Sequence, residues 1–174
     1  MLRALVVYES AFGNTQKIAR AIGEGLSTCM ATEVVEVGHV PGETGEIDLL
    51  VVGGPTHAFS MSRPSTREDA AKKADGEVVS KGRGIREWLA GGPGLAPRLA
   101  AAFDTRFKKP RLITGSAARG AEKRLRELGC RITAPEESFF VAGTAGPLLN
   151  GELERARRWG ERVGSLVQEA ASRA

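Results

Sequence analysis

The run Ile47-Asp48-Leu49-Leu50-Val51-Val52 constrains this chain more than any other stretch. It has strand-forming residues and almost no polar alternation, so a strand built from it has no face to give to water. Such a strand belongs at the centre of a parallel sheet covered by helices on both sides. Parallel neighbours need crossover connections, usually helical, and the rest of the chain reads as their source. Leu2-Arg3-Ala4-Leu5-Val6-Val7-Tyr8 and Ala31-Thr32-Glu33-Val34-Val35-Glu36-Val37 are predicted as strands one and two. Between them Ile18, Ala19, Ile22 and Leu26 recur at helical spacing, with Lys17, Arg20 and Glu24 on other faces. Gly23 and Gly25 are expected to loosen the end of that helix. Gly38 to Gly45, with Pro41, reads as a turn leading into the third strand, Ile47 to Val52.

Beyond that strand lies a loop from Gly53 to Pro64, then a polar, charged excursion from Ser65 to Lys81, read as exposed and partly helical, that suits either a partner site or a mobile loop. A short helix is expected over Gly84 to Leu89, stopped by Gly91-Gly92-Pro93. Leu99-Ala100-Ala101-Ala102-Phe103 reads as a fourth strand ending at Asp104-Thr105-Arg106, although alanine favours helix. Arg111 to Thr114 leads into Gly115-Ser116, and Ala118, Ala121, Leu125 and Leu128 mark a helix closed by Gly129. A fifth strand comes in two pieces, Arg131 to Thr133 and Ser138 to Val141, interrupted near Pro135. The last helix starts near Asn150 and runs through Leu153, Ala156, Val163, Val167 and Ala170. The alternation predicts a doubly wound α/β fold, one domain over residues 1–174, with five parallel strands in the order 2-1-3-4-5. In open sheets of this class ligands bind beyond the carboxyl ends of the strands, where the strand order reverses.

Two loops stand at those ends. The first, Ser10-Ala11-Phe12-Gly13-Asn14-Thr15, joins strand one to a helix, so helical N–H groups and the positive end of the dipole face the turn. Taken alone it fits two readings: Asn14 or Thr15 caps the helix, or hydroxyls, amide and glycine backbone cradle an anion. The second, Gly53-Gly54-Pro55-Thr56-His57-Ala58-Phe59, follows strand three.

With both loops in view, the chain resembles the flavodoxin family. Ser-Ala-Phe-Gly-Asn-Thr is similar to that family's phosphate loop, Gly53 to His57 to its second flavin loop, and Asp104-Thr105-Arg106 stands where its third would lie. The usual phosphate loop has a further hydroxyl at the place of Phe12, and classical members are acidic and rich in aromatics. This chain carries a formal net charge of +4 and only 5% aromatic residues, so its resemblance is nearer to broader flavodoxin-like proteins, including small flavin reductases and the flavodoxin-like protoporphyrinogen oxidases, than to free electron shuttles. The resemblance implies flavin mononucleotide (FMN) as cofactor. Its phosphate would be held by Ser10, Gly13, Asn14 and Thr15, within a loop including Ala11 and Phe12. Its ring would lie between Pro55-Thr56-His57-Ala58-Phe59 and Asp104-Thr105-Arg106, with Phe59 or Phe107 over a face. A His57 imidazolium or Arg106 guanidinium would favour the anionic reduced ring. No residue need be a catalytic acid or base, because the flavin carries the redox chemistry.

Expected partners are a small acceptor or a redox protein, with NADH or NADPH docking transiently on Arg63 or the basic cluster from Arg106 to Arg111. Neither a Gly-x-Gly-x-x-Gly after strand one nor a Gly-x-x-x-x-Gly-Lys-Ser/Thr loop occurs. A receiver domain needs an aspartate where Gly53-Gly54 ends strand three. Sparse aromatics argue against nucleic acid. Cys29 and Cys130 are too few and too far apart for a disulfide framework or zinc site. No apolar run reaches membrane-span length and no signal peptide pattern opens the chain, so the expected compartment is the cytoplasm. The alternative on the same fold is a binding or regulatory module that has lost flavin.

Overall fold

The structure is a computed structural model that describes residues 1–42, 45–74, 77–92, 94 and 99–173. Its elements are β1 (Arg3–Tyr8), α1 (Asn14–Leu26), β2 (Ala31–Glu36), β3 (Leu49–His57), β4 (Ser60–Met61), α2 (Pro64–Lys73), α3 (Ile85–Ala90), β5 (Leu99–Phe107), α4 (Arg111–Thr114), α5 (Ala117–Glu127), β6 (Arg131–Ile132), β7 (Glu137–Val141) and α6 (Glu152–Ser172). The main sheet runs β2-β1-β3-β5-β6, with β7 also on β5, all parallel. With β6 and β7 counted as the two pieces of one strand, this is the predicted order. Proline 93, the expected stop after α3, lies outside the described residues.

Alternate residues of the central strands enter two separate layers. Ala4, Val6, Tyr8, Leu49, Val51, Ala101 and Phe103 face α1 and α6. Leu5, Val7, Leu50, Val52, Ala100 and Ala102 face α3 and α5. Pairing with β3 and burial on both faces override the helical preference of the alanines in β5, because tertiary context decides over intrinsic propensity in a strand covered on both sides. The first layer closes on Phe103, Phe139 and Trp159, which meet edge to face at 6.2–6.4 Å between centroids.

Three expectations change. Gly23 and Gly25 do not loosen α1; they lie within it. A Cβ on Gly25 would run into the backbone of Arg157 and Glu161, and one on Gly160 into that of Ile22, so glycines set the close crossing of α1 and α6. Gly53 and Gly54 belong to β3, not to a loop. Gly53 pairs with Phe103, whose ring fills the space a side chain would take. Asp104, Thr105 and Arg106 continue β5 as a strand, because β7 pairs with it from Phe103 to Phe107.

Candidate functional site

The carboxyl ends of β1, β3 and β5 open onto a cavity of about 470 Å³, a size ordinary for cofactors and other small ligands. Ser10, Ala11, Phe12, Asn14 and Thr15 line it from the first loop, Pro55 to Phe59 from the second, and Thr105 and Arg106 from β5. Of the residues expected to hold the flavin, Gly13 and Asp104 do not line it, nor do Arg63, Lys108 and Arg111 of the expected dinucleotide contacts.

The capping reading of the first loop does not hold. Asn14 and Thr15 are the first two residues of α1, the cap position is Gly13 at φ +93°, and no side chain caps the helix. A left-handed residue there suits glycine. The first N–H groups of a 13-residue helix therefore stay free of side-chain caps beside the cavity. The loop itself is tied down elsewhere. Ser10 Oγ accepts from the Gly13 N–H at 3.1 Å, and the Ser10 N–H donates to Ser80 Oγ at 2.9 Å. Ser80 and Val79 return backbone bonds to the carbonyls of Ser10 and Ala11. The hydroxyls of Thr15 and Thr105 meet at 2.7 Å, joining the first loop to β5.

Beneath the loop, Glu9 is buried and its Oε1 accepts from the Ile85 N–H at 2.8 Å. Burial pushes this carboxyl above its usual range, against the opposing pull of Ser62, Ile85 and Arg67. Arg67 in turn donates to Ser62 Oγ at 2.9 Å and to Glu87 at 3.0 Å. This polar web holds the start of α3 and the inner side of α2 against β1.

The second loop is a tight hairpin. His57 pairs with Ser60 and Thr56 with Met61, leaving Ala58 and Phe59 as two central residues at φ +45° and +75°, the turn geometry that suits the twist of a two-residue hairpin. Holding bulky Phe59 in a left-handed conformation costs about 1–3 kcal/mol. Gly115 supports it: the Ser116 N–H donates to the Phe59 carbonyl at 3.1 Å, and a side chain on Gly115 would overlap the Phe59 backbone.

Asp104 points away from the cavity. Its fully buried Oδ2 accepts from Ser116 Oγ at 2.7 Å, the Ala118 N–H at 3.0 Å and Thr56 Oγ1 at 3.2 Å. It is thus an anchor for the N-terminus of α5 and for the second loop. Arg106 is committed inside the protein as well. It donates to Ser138 Oγ, the carbonyls of Phe107 and Lys109, and Thr114 Oγ1, and lies over the Phe140 ring.

His57 differs from the sequence expectation of an imidazolium. Burial, reinforced by the charges of Arg67 and Lys73, pushes its pKa below the ordinary 6.5, so the ring is neutral at pH 7. Its Nδ1 is 3.3 Å from Thr66 Oγ1. The sign of the resulting pH dependence is set by the unfolded chain, which takes up a proton below about pH 6.5 while the folded one resists. The stabilisation is complete above that pH and is lost on acidification. Urea midpoints measured on either side of it should fall more for the wild type than for His57→Gln; parallel changes would contradict a neutral buried ring.

Sequence reasoning missed the wall formed by α2. Thr66, Asp69, Ala70 and Lys73 line the cavity, as do Lys109, Thr114 and Thr144. The signal was weak, since α2 has little apolar periodicity, but Pro64 at its first position and the Thr66 side chain bonded to the Arg63 N–H mark a helix start. Lys73, Arg106 and Lys109 face one carboxylate, Asp69, so the lining is net cationic.

This is an open α/β protein with a cavity at the reversal of strand order. Its fold is flavodoxin-like. A flavodoxin from the domain Archaea superposes with a TM-score of 0.67 at 23% identity, over 96% of this chain and 99% of that one. Flavodoxin 1 from Bacillus cereus gives 0.65 at 16% identity, over 94% and 97%. A WrbA-like flavodoxin from Agrobacterium tumefaciens gives 0.56 at 16%, over 97% and 99%. No family model matches the chain, and no curated protein matches it.

Proposed function

We propose that this chain binds FMN in the cavity and acts as a redox protein, passing electrons or using NADH or NADPH to reduce a quinone-like or other small acceptor. The observation that carries this reading is the uncapped start of α1, whose N–H groups and dipole, with the hydroxyls of Ser10 and Thr15, open on a cavity that also has apolar and aromatic walls. A ligand that joins a phosphate to a flat ring system matches that combination. The archaeal and Bacillus cereus structures named above are described as flavodoxins, which favours the same cofactor.

In this reading Ser10, Asn14 and Thr15 hold the phosphate through hydroxyl, amide and backbone donors, and Gly13 lets the backbone curl around it. Backbone groups of His57 and Ala58 meet the ring edge, and Phe59 or Phe107 covers a face. FMN supplies hydride and electron chemistry when bound. Arg106, Lys73 and Lys109 make the surroundings positive, which favours added electrons. Neutral His57 contributes a hydrogen-bonding nitrogen and no charge.

Titration of the purified protein with FMN should shift the visible bands and leave flavin on the protein through gel filtration at micromolar concentration. Riboflavin, lacking the phosphate, should bind at least about a hundredfold more weakly, the loss of two charge-assisted bonds of ~1.5 kcal/mol each. Flavin that elutes free would overturn the reading and favour a flavin-free module. With flavin bound, stopped-flow oxidation of NADH or NADPH by a quinone distinguishes an enzyme from a carrier.

A further inference from the structure

At the cavity mouth the chain carries large apolar side chains that nothing in the structure covers. Leu112 is 96% exposed, Phe59 64%, Ile113 59% and Phe107 39%. Phe59, Phe107 and Ile113 also line the cavity, so the apolar rim is continuous with it. Lys108 and Lys109 are exposed between these residues, Arg111 is half-buried beside them, and no carboxylate occurs from Phe107 to Ala121. Arg111 is held by Glu136 at 2.6 Å.

Projecting apolar groups ringed by cations match an anionic bilayer, whose phosphates take the ammonium groups while its headgroup boundary takes the apolar side chains. A loop that enters the headgroup boundary loses part of its hydration, so hydrogen bonds made within the loop lower the cost of entry. This loop makes such bonds in part, leaving the Leu112 N–H and the Leu112 and Ile113 carbonyls to the water and polar headgroups of the boundary. The Phe107 carbonyl accepts from the Lys109 N–H, and the Lys109 carbonyl from Arg106 at 2.7 Å. The Pro110 carbonyl accepts from the N–H groups of Ile113 and Thr114, and the Arg111 carbonyl from that of Gly115 at 2.7 Å. Pro110 offers no N–H. Arg106, turned inward, therefore staples a tip whose outer surface is hydrocarbon and ammonium.

We propose that Phe59 and the segment from Phe107 to Ile113 form a peripheral docking tip for anionic lipid surfaces, with Leu112 and Ile113 entering the headgroup boundary and Lys108 and Lys109 contacting lipid phosphates. On the redox reading above, this sets the cavity mouth where a lipophilic acceptor dissolves.

The test is co-sedimentation of the full chain with vesicles of phosphatidylcholine and phosphatidylglycerol, against vesicles of phosphatidylcholine alone. The wild type should pellet with the anionic vesicles and be released by high salt. Leu112→Ser/Ile113→Ser should lower the partition coefficient about tenfold or more. Lys108→Ser/Lys109→Ser should lower it roughly fivefold for each cation removed. All four positions are exposed, and circular dichroism checks that the variants fold. Protein that stays in the supernatant with both vesicles, as expected of a tip meant for an acidic protein, overturns the proposal; so does equal pelleting of the wild type and the apolar double variant. The readout involves neither flavin nor turnover, so its failure and a failed FMN titration are separate results.

Discussion

Replacing Gly160 or Gly25 by alanine lowers the unfolding free energy by about 3 kcal/mol, near the upper end of the usual cost of overpacking. Intrinsic propensity predicts the opposite sign, since Gly→Ala inside a helix gains about 1 kcal/mol. The sign is decided by what the new Cβ meets. At Gly160 it meets the Ile22 carbonyl, and at Gly25 the Arg157 carbonyl and Glu161 N–H. Backbone atoms of a paired helix cannot step aside without separating α1 from α6, and that seam closes the layer holding Ile18, Ile22, Trp159 and Val163. Gly164 is the control. Its Cβ would meet the Cys29 thiol, the end of a side chain that can rotate, so Gly164→Ala should stay within about 0.5 kcal/mol of the wild type once propensity offsets the crowding. Urea denaturation with unchanged slope reads all three. A stabilised Gly160→Ala protein would show that the two helices are not in backbone contact.

These glycines also show what the sequence could and could not carry. Strand order follows from local patterns, because Ile47 to Val52 and the alternating helices leave few ways to build a sheet. The first loop was legible for a similar reason: strand, Ser10 to Thr15, and helix are contiguous, so their chemistry is set within one turn of chain. A glycine in a helix reads locally as a weak point, and only the partner helix, more than 130 residues on, turns it into a close contact. Likewise Gly53 reads as a loop residue until Phe103 is placed beside it. The α2 wall escaped because a helix that covers one side of a cavity buries little apolar surface, only Ala70 in its length, and so leaves no periodic signal. His57 was visible as a ring in a ligand loop, but its charge depends first on its burial and then on Arg67 and Lys73 from α2, none of which the loop itself reveals.

Asp104 is the sharpest case of a residue whose place was legible and whose role was not, and its substitution should be among the costliest in the protein. Standing at the end of a strand in a ligand-binding region, it reads as a group for the ligand. The carboxylate instead gathers three donors from two segments: Thr56 from the second loop, and Ser116 Oγ and the Ala118 N–H from the start of α5. An anion there also favours the dipole of α5. In Asp104→Ala those buried donors lose their acceptor together, and since each such loss costs ~1–3 kcal/mol and neighbours do not add fully, the fold should lose about 3 kcal/mol. Asp104→Asn separates hydrogen bonding from charge. Its amide oxygen can replace Oδ2, while its NH₂ must occupy the place of Oδ1, which has no partner among the described residues. That variant keeps the acceptor but loses the charge and buries an unmatched donor, so it should cost about 1–2 kcal/mol. Both follow from urea midpoints at neutral pH. Because Thr56 Oγ1 also accepts from the Ala117 N–H at 3.0 Å, the damage reaches the hairpin that holds Ala58 and Phe59 in left-handed conformations. Asp104→Ala should therefore raise the hydrogen-exchange rate of the hairpin amides, whereas a variant that loses less than about 1 kcal/mol with the hairpin unchanged would return Asp104 to the role its position first suggests.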